Sequence, residues 1–351
     1  MSGVQNLIVS EDDDGMRLDR WLRKQYPVLT QGRIEKMCRK GELRVDGGRV
    51  KSASRLDAGA KVRVPPLGEE AHRPAPVTDR LIKPAEAKMI QDCVLWKDEH
   101  IIALNKPSGL PSQGGSGQGS RHVDALSEAL KFGYKERPKL VHRLDKDTSG
   151  LLLLARTDRV ARRLSEALRH RNVRKIYWAA VAGTPHPRAG TIKYGLVKAG
   201  GHGRGGEGEK MKCVHPREVS EVEGAKRAVT DYAVLTSLGS RMAWLAMVPV
   251  TGRTHQLRAH IAETGHPIIG DGKYGGSAQE NLGDGWGAGV GGGVSDARLH
   301  LHARTLVFEH PITKEVITLE APLPPHMQAT WDYVGWDVTH APLDPFNMPD
   351  E

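Results

Sequence analysis

In one segment of the chain, a run of charged and hydroxyl side chains that could act in catalysis is followed directly by an apolar run typical of a β-strand. Residues 142–150 read His-Arg-Leu-Asp-Lys-Asp-Thr-Ser-Gly, and residues 151–155 are apolar. An apolar run this short, followed by polar residues, predicts a strand that is buried on both faces. The Thr-Ser-Gly end of the first part favours a turn held by local hydrogen bonds. Asp145 would then be fixed at the edge of a sheet but accessible, as a carboxylate nucleophile must be.

The residue types of this segment also fit an ordinary Asp-rich loop, so a functional interpretation needs support from other segments. Residues 175–181 (Lys-Ile-Tyr-Trp-Ala-Ala-Val) predict a strand, on which Tyr177 is by itself an ordinary half-buried aromatic. Residues 252–260 (Gly-Arg-Thr-His-Gln-Leu-Arg-Ala-His) predict a helix capped by Thr254. Leu257, Ile261 and His260 would face inward, and Arg258 by itself reads equally well as a surface arginine.

A metal or nucleotide cofactor is not expected from the other polar clusters. Five histidines lie between residues 255 and 302, but neither a His-Glu-x-x-His arrangement nor a cysteine cluster accompanies them. Residues 106–109 (Lys-Pro-Ser-Gly) lack the Gly-Lys-Ser/Thr order of a P-loop. The glycine-rich stretch 114–120 has no dinucleotide-binding context around it.

Residues 142–155, 175–179 and 251–260 resemble the signature motifs of the RluA/RluC/RluD-type RNA pseudouridine synthases, nearest the RluC-like branch. The resemblance implies that Asp145 is the catalytic aspartate and that Tyr177 packs on the target uracil and accepts a proton. It implies that Arg258 lies near Asp145 and pairs with it. A neighbouring cation would favour the ionised carboxylate. His142 and Arg143 lie on the same loop and are expected to contact the substrate.

The implied reaction converts uridine in RNA to its carbon-linked isomer, so no redox change occurs and no cofactor is expected. The target base must be single-stranded or flipped out. Attack by Asp145 at uracil C6 or at ribose C1′ is equally compatible with the residues. The implied fold is α+β, with a mixed, largely antiparallel central sheet flanked by helices and loops and a small α/β domain of the S4 type.

The first part of the chain carries the basic surplus. Between residues 16 and 64 there are fourteen basic and five acidic residues, an excess of nine, which equals the net charge of +9 of all 351 residues. Such a surplus favours a polyanion, and nucleic acid ahead of membrane. A second helix is predicted to begin near Thr30 and to end at Gly41. Arg33, Lys36 and Lys40 fall on one face of this helix and are candidates for RNA binding. This stretch resembles an S4-type RNA-binding domain, which accompanies synthases of this family.

Composition and Pro-rich stretches suggest the organisation of the chain. We expect an S4-like domain in residues 1–70, a linker in 71–84, a catalytic domain in 85–340 and a disordered tail in 341–351. Residues 199–210 and the glycine-rich 275–294 are predicted loops. Asp158 can cap a predicted helix that runs to about residue 171. Three scattered cysteines and the lack of a signal peptide or apolar span favour a cytoplasmic protein without membrane contact.

The expected partner is large-subunit (23S) ribosomal RNA, modified by a monomeric enzyme. Two other interpretations stay open. Transfer RNA could be the substrate of the same chemistry, or the chain could be a non-catalytic S4-type factor in ribosome assembly.

Overall fold

The computed structural model describes residues 3–67, 82–114, 121–169, 173–199, 210–275 and 298–346. It divides into two compact units, residues 1–81 and 82–351. Several predicted loops lie wholly or largely outside the described residues: most of the linker and of the glycine-rich stretch after 114, the loop 200–209, the insertion 276–297 and the last five residues.

The first unit packs two helices on a four-stranded sheet. The strands, in the order β1-β4-β2-β3, are β1 (Gln5–Ile8), β2 (Arg44–Val45), β3 (Gly48–Arg49) and β4 (Lys61–Val64). The helices are α1 (Leu18–Gln25) and α2 (Gln31–Lys40), and their apolar faces form one buried cluster with the sheet. Residues Leu18, Trp21 and Leu22 are buried at the predicted helical spacing.

Local sequence signals set the ends of these elements as expected. The Thr30 side chain accepts a hydrogen bond from the Arg33 backbone N–H, and Gly41 ends α2 in the left-handed conformation. Asp46 and Gly47 both adopt positive φ between β2 and β3, as a tight hairpin turn requires.

The second unit is built on one eleven-stranded sheet. Nine strands follow the order β11-β10-β12-β13-β9-β14-β8-β6-β5, while β15 pairs with β14 and β7 with β8. Only the short β14–β8 contact is parallel among the described pairs. The strands are β5 (Val94–Lys97), β6 (Ile101–Lys106), β7 (Lys139–Leu140), β8 (Ser149–Ala155), β9 (Arg174–Ala182), β10 (Ala189–Lys198), β11 (Met211–Val214), β12 (Lys226–Leu238), β13 (Met242–Pro249), β14 (Leu301–Glu309) and β15 (Val316–Glu320).

Helices flank this sheet and complete its core. They are α3 (Pro84–Asp92), α4 (Val123–Leu126), α5 (Asp158–Ala167), α6 (Gln256–Glu263) and α7 (Pro325–Val334). The prediction of an α+β fold with a mixed, largely antiparallel sheet is therefore confirmed. All seven residues of β8 are buried, as the apolar run predicted.

Four boundary predictions are wrong. Thr157, not Asp158, caps α5, because its side chain accepts the Val160 N–H. No side-chain cap by Thr254 precedes α6, which starts one residue after His255. Pro84 opens α3 instead of ending a linker, as its fixed φ allows. Residues 341–346 are not disordered: Asp344 makes two 2.8 Å hydrogen bonds to the Arg174 guanidinium.

Candidate active site

Asp145 lies on the loop that joins β7 to β8. β8 is hydrogen-bonded to β6 along its length and meets β14 at residues 149 and 150. The loop 141–148 therefore leaves the sheet at the end where these strands start or finish. The Asp145 side chain is 21% exposed there and lines a cleft of about 920 Å³. A volume of this order can hold a nucleotide-sized ligand.

Hydrogen bonds hold the backbone immediately before and after Asp145. The Ser112 hydroxyl donates to the Leu144 carbonyl at 2.7 Å and accepts from the Leu144 N–H at 3.0 Å. The Thr148 N–H donates to the Asp145 carbonyl at 3.2 Å. Because these bonds use main-chain groups, the Asp145 carboxylate remains available to the cleft. A side chain whose backbone is fixed in this way would lose little freedom in a reaction.

The segment after β6 cradles the same loop. Lys106 is fully buried, and its ammonium donates to the carbonyls of Pro107, Leu110 and Lys146 at 2.9, 2.8 and 3.0 Å. Three carbonyl acceptors match the three N–H groups of a charged lysine. Burial nevertheless lowers the pKa of Lys106 to about 7, against the opposing pull of nearby carboxylates, Asp145 among them. Residues 106–110 therefore form a structural support for the loop that precedes β8.

A glycine and a buried histidine fix the exit of the loop into β8. Gly150 has φ +106°, and a β-carbon there would lie 2.3 Å from the Ala303 carbonyl oxygen. Only glycine fits this approach of β8 to β14. The Ser149 Oγ lies 2.9 Å from His302 Nδ1, and His302 Nε2 lies 3.1 Å from the Ala321 carbonyl. His302 thus donates from Nε2 to Ala321 and accepts from Ser149.

Tyr177 lines the same cleft from β9, which β14 separates from β8 in the sheet. Burial, and secondarily the charge of Asp145, raise the pKa of the Tyr177 phenol well above its usual range. The phenol therefore stays protonated at neutral pH, and both side chains line the same cleft. Tyr177 therefore gives the cleft a largely apolar aromatic wall.

His142 and Arg143 both line the cleft, but their environments differ. Arg143 is exposed. His142 Nε2 accepts the Leu153 backbone N–H at 2.9 Å, and burial lowers the pKa of its imidazole to about 3. One ring nitrogen of His142 is therefore committed to the β8 backbone. Arg143 is the better placed of the two for a substrate contact.

Arg258 is near Asp145, as predicted, but its predicted bidentate pair with that residue is wrong. The guanidinium makes two hydrogen bonds, of 2.8 and 2.7 Å, to the carboxylate of Asp271, and both side chains are buried. Burial opposes the charge of Arg258, but Asp271 first and Asp145 second raise its pKa overall. α6 turns Arg258 towards the 271–274 turn, so Asp145 feels this cation only at longer range.

His255 was missed by reasoning from the sequence. Its Nε2 lies 4.0 Å from Asp145 Oδ2, and its backbone has φ +51° and ψ +20° immediately before α6. The pattern Thr-His-Gln predicted a helix that already included this residue. A left-handed non-glycine residue at this junction has no signal in the sequence, although histidine is among the residues that tolerate it.

The described residues hold no cluster of three or more His, Cys, Asp or Glu side chains suited to a metal ion. Nor does any helix among them have the length and apolar character needed to cross a membrane.

The first unit has a separate basic groove. We use this name for the surface formed by Arg33, Lys36 and Lys40 of α2 with Arg63 of β4, beside Pro65 to Leu67. The three predicted side chains on α2 are exposed. Arg63 was not predicted and donates to the Glu42 carbonyl at 3.1 Å. The groove therefore gathers four cations and one acidic side chain, Glu42, whose carboxylate lies 3.6 Å from the Lys40 ammonium.

Comparison with known proteins identifies the family of the chain. Residues 100–263 match the family described as RNA pseudouridylate synthase, and residues 16–62 match the S4 domain. A Vibrio cholerae serotype O1 protein named ribosomal large subunit pseudouridine synthase C is 35% identical over 327 residues, which cover 93% of this chain and 95% of that protein. The chain belongs to the RNA pseudouridine synthase family. The resemblance of its motifs to that family is confirmed, and the enzyme class is that of an isomerase.

Other relatives agree with this assignment. The pseudouridine synthase of the same name from Escherichia coli K12 is 36% identical over 323 residues, or 91% of this chain and 93% of that one. Among solved structures, human RNA pseudouridylate synthase domain containing 4 superposes with a TM-score of 0.58 at 31% identity, covering 72% of this chain and 96% of the human one.

Proposed function

We propose that this pseudouridine synthase isomerises specific uridines of large-subunit (23S) ribosomal RNA, with Asp145 as the nucleophile. The relatives that share about nine tenths of its length carry names that specify the ribosomal large subunit. The observation that carries the proposal is the carboxylate of Asp145, presented to a cleft from a loop whose backbone is held on both sides. A cytoplasmic location and a monomeric state remain predictions.

The proposed reaction keeps every atom of the nucleoside. The bond between uracil N1 and ribose C1′ breaks, the base turns, and C5 bonds to C1′, while C5 loses a proton and N1 gains one. Asp145 would attack either C6 of the base or C1′ of the ribose. The cleft admits a base only after it has left its stack, so the target is single-stranded or flipped out.

Three further side chains receive roles in this proposal. Tyr177 would pack against the uracil and take the C5 proton as its own phenolic proton passes to solvent water, because its raised pKa disfavours the phenolate. Arg258 would stabilise the charge of Asp145 at longer range, while Asp271 fixes its position. Arg143, and to a lesser extent His142, would contact the flipped nucleotide.

The basic groove is proposed to bind RNA phosphates without reading sequence. Arg33, Lys36 and Lys40 supply exposed cations on one helix face, which suits a polyanion better than a small ligand. The cleft would then select the uridine, and the groove would contribute affinity.

Replacing Asp145 by Asn tests the proposal. The amide keeps the size of the side chain but cannot act as the carboxylate nucleophile, so isomerisation should fall below detection while RNA affinity stays within about threefold. Release of tritium from ribosomal RNA labelled at uridine C5 measures the reaction, and filter binding measures affinity. Asp147→Asn, two residues away on the same loop, is the matched control and should retain activity.

Normal turnover by Asp145→Asn would contradict the catalytic role. An unmodified protein that binds ribosomal RNA but releases no tritium from it would instead favour a non-catalytic assembly factor. Release from transfer RNA alone would keep the chemistry and overturn the substrate. Mapping pseudouridines in ribosomal RNA from a strain that lacks the gene would identify the sites.

A further inference from the structure

His255 faces the proposed nucleophile from a junction that is not helical. Its side chain is 10% exposed, and its Nε2 lies 4.0 Å from Asp145 Oδ2. Across the part of the chain that the structure describes, no other basic side chain comes within 4.0 Å of that carboxylate. The distance exceeds that of a hydrogen bond, but such contacts are often long in the free enzyme and shorten when substrate binds.

The neighbours of His255 fix the position of its proton. The Met211 N–H donates to the Tyr274 hydroxyl at 2.8 Å, and that hydroxyl lies 3.1 Å from His255 Nδ1. Burial raises the pKa of Tyr274 to about 12, so the phenol has a proton to donate. While its oxygen accepts from Met211, the phenol still has its O–H free to donate, and His255 Nδ1 is the acceptor within reach. Donation from Tyr274 to Nδ1 leaves the proton of the neutral imidazole on Nε2, the nitrogen that faces Asp145.

The opposite tautomer would aim a nitrogen lone pair at a carboxylate oxygen, which electrostatics disfavours. Burial lowers the pKa of His255, and the nearby cations Arg258 and Lys273 act in the same direction. Asp145 and Asp271 act in the other direction, and the net shift is downward. The imidazole is therefore neutral at neutral pH and presents an N–H dipole rather than a full charge.

The loop that carries His255 is held by the next residue. Gln256 Oε1 accepts from the Thr251 hydroxyl at 2.7 Å and from the Arg253 N–H at 3.1 Å. Gln256 Nε2 donates to the Val229 carbonyl at 2.8 Å. These bonds tie residues 251–256 to β12, so the left-handed backbone of His255 is maintained by its surroundings.

We propose that His255 is a positioning residue for Asp145: it donates from Nε2 to the carboxylate, and Tyr274 holds it in the tautomer that can do so. This assignment rests on the proposed function, because Asp145 must be the reacting group. It also gives Asp145 the direct partner that Arg258 does not provide, since the guanidinium is committed to Asp271.

The test uses the full-length protein and ribosomal RNA labelled at uridine C5. His255→Gly removes the imidazole and suits a backbone with φ +51°, so this variant should fold at least as well as the unmodified protein. We expect kcat to fall about 10- to 100-fold, as for loss of one hydrogen bond to a charged group, with KM unchanged within about twofold.

A second variant tests the relay. Tyr274→Phe keeps the ring beside Arg258 but loses the hydroxyl, so kcat should fall in an otherwise unmodified protein. In the His255→Gly background the same change should have almost no further effect, because Tyr274 acts through the imidazole. Tyr232→Phe, which loses a buried hydroxyl bonded to the Pro187 carbonyl outside the cleft, is the control and should leave kcat unchanged.

The outcomes separate this inference from the function on which it rests. No tritium release by the unmodified protein on any RNA refutes the proposed function. Release by the unmodified protein with an unchanged kcat in folded His255→Gly refutes the inference alone. An equal loss from Tyr274→Phe in both backgrounds, or a His255→Gly defect confined to KM, also overturns it.

Discussion

The cleft of the second unit and the basic groove of the first are built in opposite ways. Asp145, Tyr177, His255 and Arg258 come from three segments, of which the first and the last are more than a hundred residues apart, and hydrogen bonds hold the Asp145 loop, the His255 ring and the Arg258 guanidinium. The groove takes three of its four cations from one helix, and all three are exposed. Effects in the cleft should therefore be large and interdependent, whereas those in the groove should be small and additive.

The buried pair between Arg258 and Asp271 should show the largest effect on stability. Asp271→Asn leaves the guanidinium buried without its counter-charge, so the free energy of unfolding of the second unit should fall by about 3 kcal/mol or more. Urea unfolding followed through the tryptophan cluster of Trp178, Trp244 and Trp331 measures this change. If the free energy of unfolding falls by less than about 1 kcal/mol, the side chains of the cleft depend on one another no more than those of the groove do.

The matched control is a more exposed pair in the same unit. Arg304 and Glu320 are 2.6 Å apart, but the Glu320 side chain is 42% exposed. Glu320→Gln should cost less than about 1 kcal/mol, because solvent screens the lost interaction.

Buried histidines predict a pH dependence that the exposed cations of the groove cannot produce. Burial lowers the pKa of His260 to about 4 and that of His302 to about 3, whereas the ordinary value is 6.5. Between about pH 6.5 and 4 the unfolded chain binds protons that the folded chain does not. Stability is therefore full above pH 6.5 and falls with decreasing pH, by about 1.4 kcal/mol per unit for each histidine.

Unfolding midpoints in urea at several pH values measure this slope. His260→Gln should reduce the slope of unfolding free energy against pH by the contribution of one histidine. His340→Gln removes a histidine whose side chain is 85% exposed and should leave the slope unchanged. An identical slope in all three proteins would mean that His260 titrates in the folded state as it does in water.

The groove should give the smallest effect per residue. Alanine at Arg33, Lys36 or Lys40 should weaken RNA binding about equally for all sequences and reduce the slope of log affinity against log salt by about 1 for each residue. Lys61→Ala, a surface change on β4 outside the groove residues, is the control. If the loss of RNA affinity in the triple variant differs from the sum of the three single losses, the groove residues act together, as those of the cleft are expected to do.

Local patterns were sufficient for much of the fold. The apolar run 151–155 predicted a buried strand, and Thr30 and Gly41 predicted both ends of α2, because caps and strand burial depend on residues close in sequence. The boundaries of α5 and α6 were less certain. Thr157 and Asp158 can both cap a helix, and the choice between them depends on backbone geometry that residue types do not reveal.

By itself, the sequence determined the family, the candidate carboxylate and the location of the positive charge, since each of these is written in contiguous residues. Only the tertiary structure decided which partners the charged groups take. It places Arg258 against Asp271 and His255 4.0 Å from Asp145, because the packing of α6 against the sheet sets those distances. Pair formation depends on separations of a few ångströms, and spacing along a chain does not specify them.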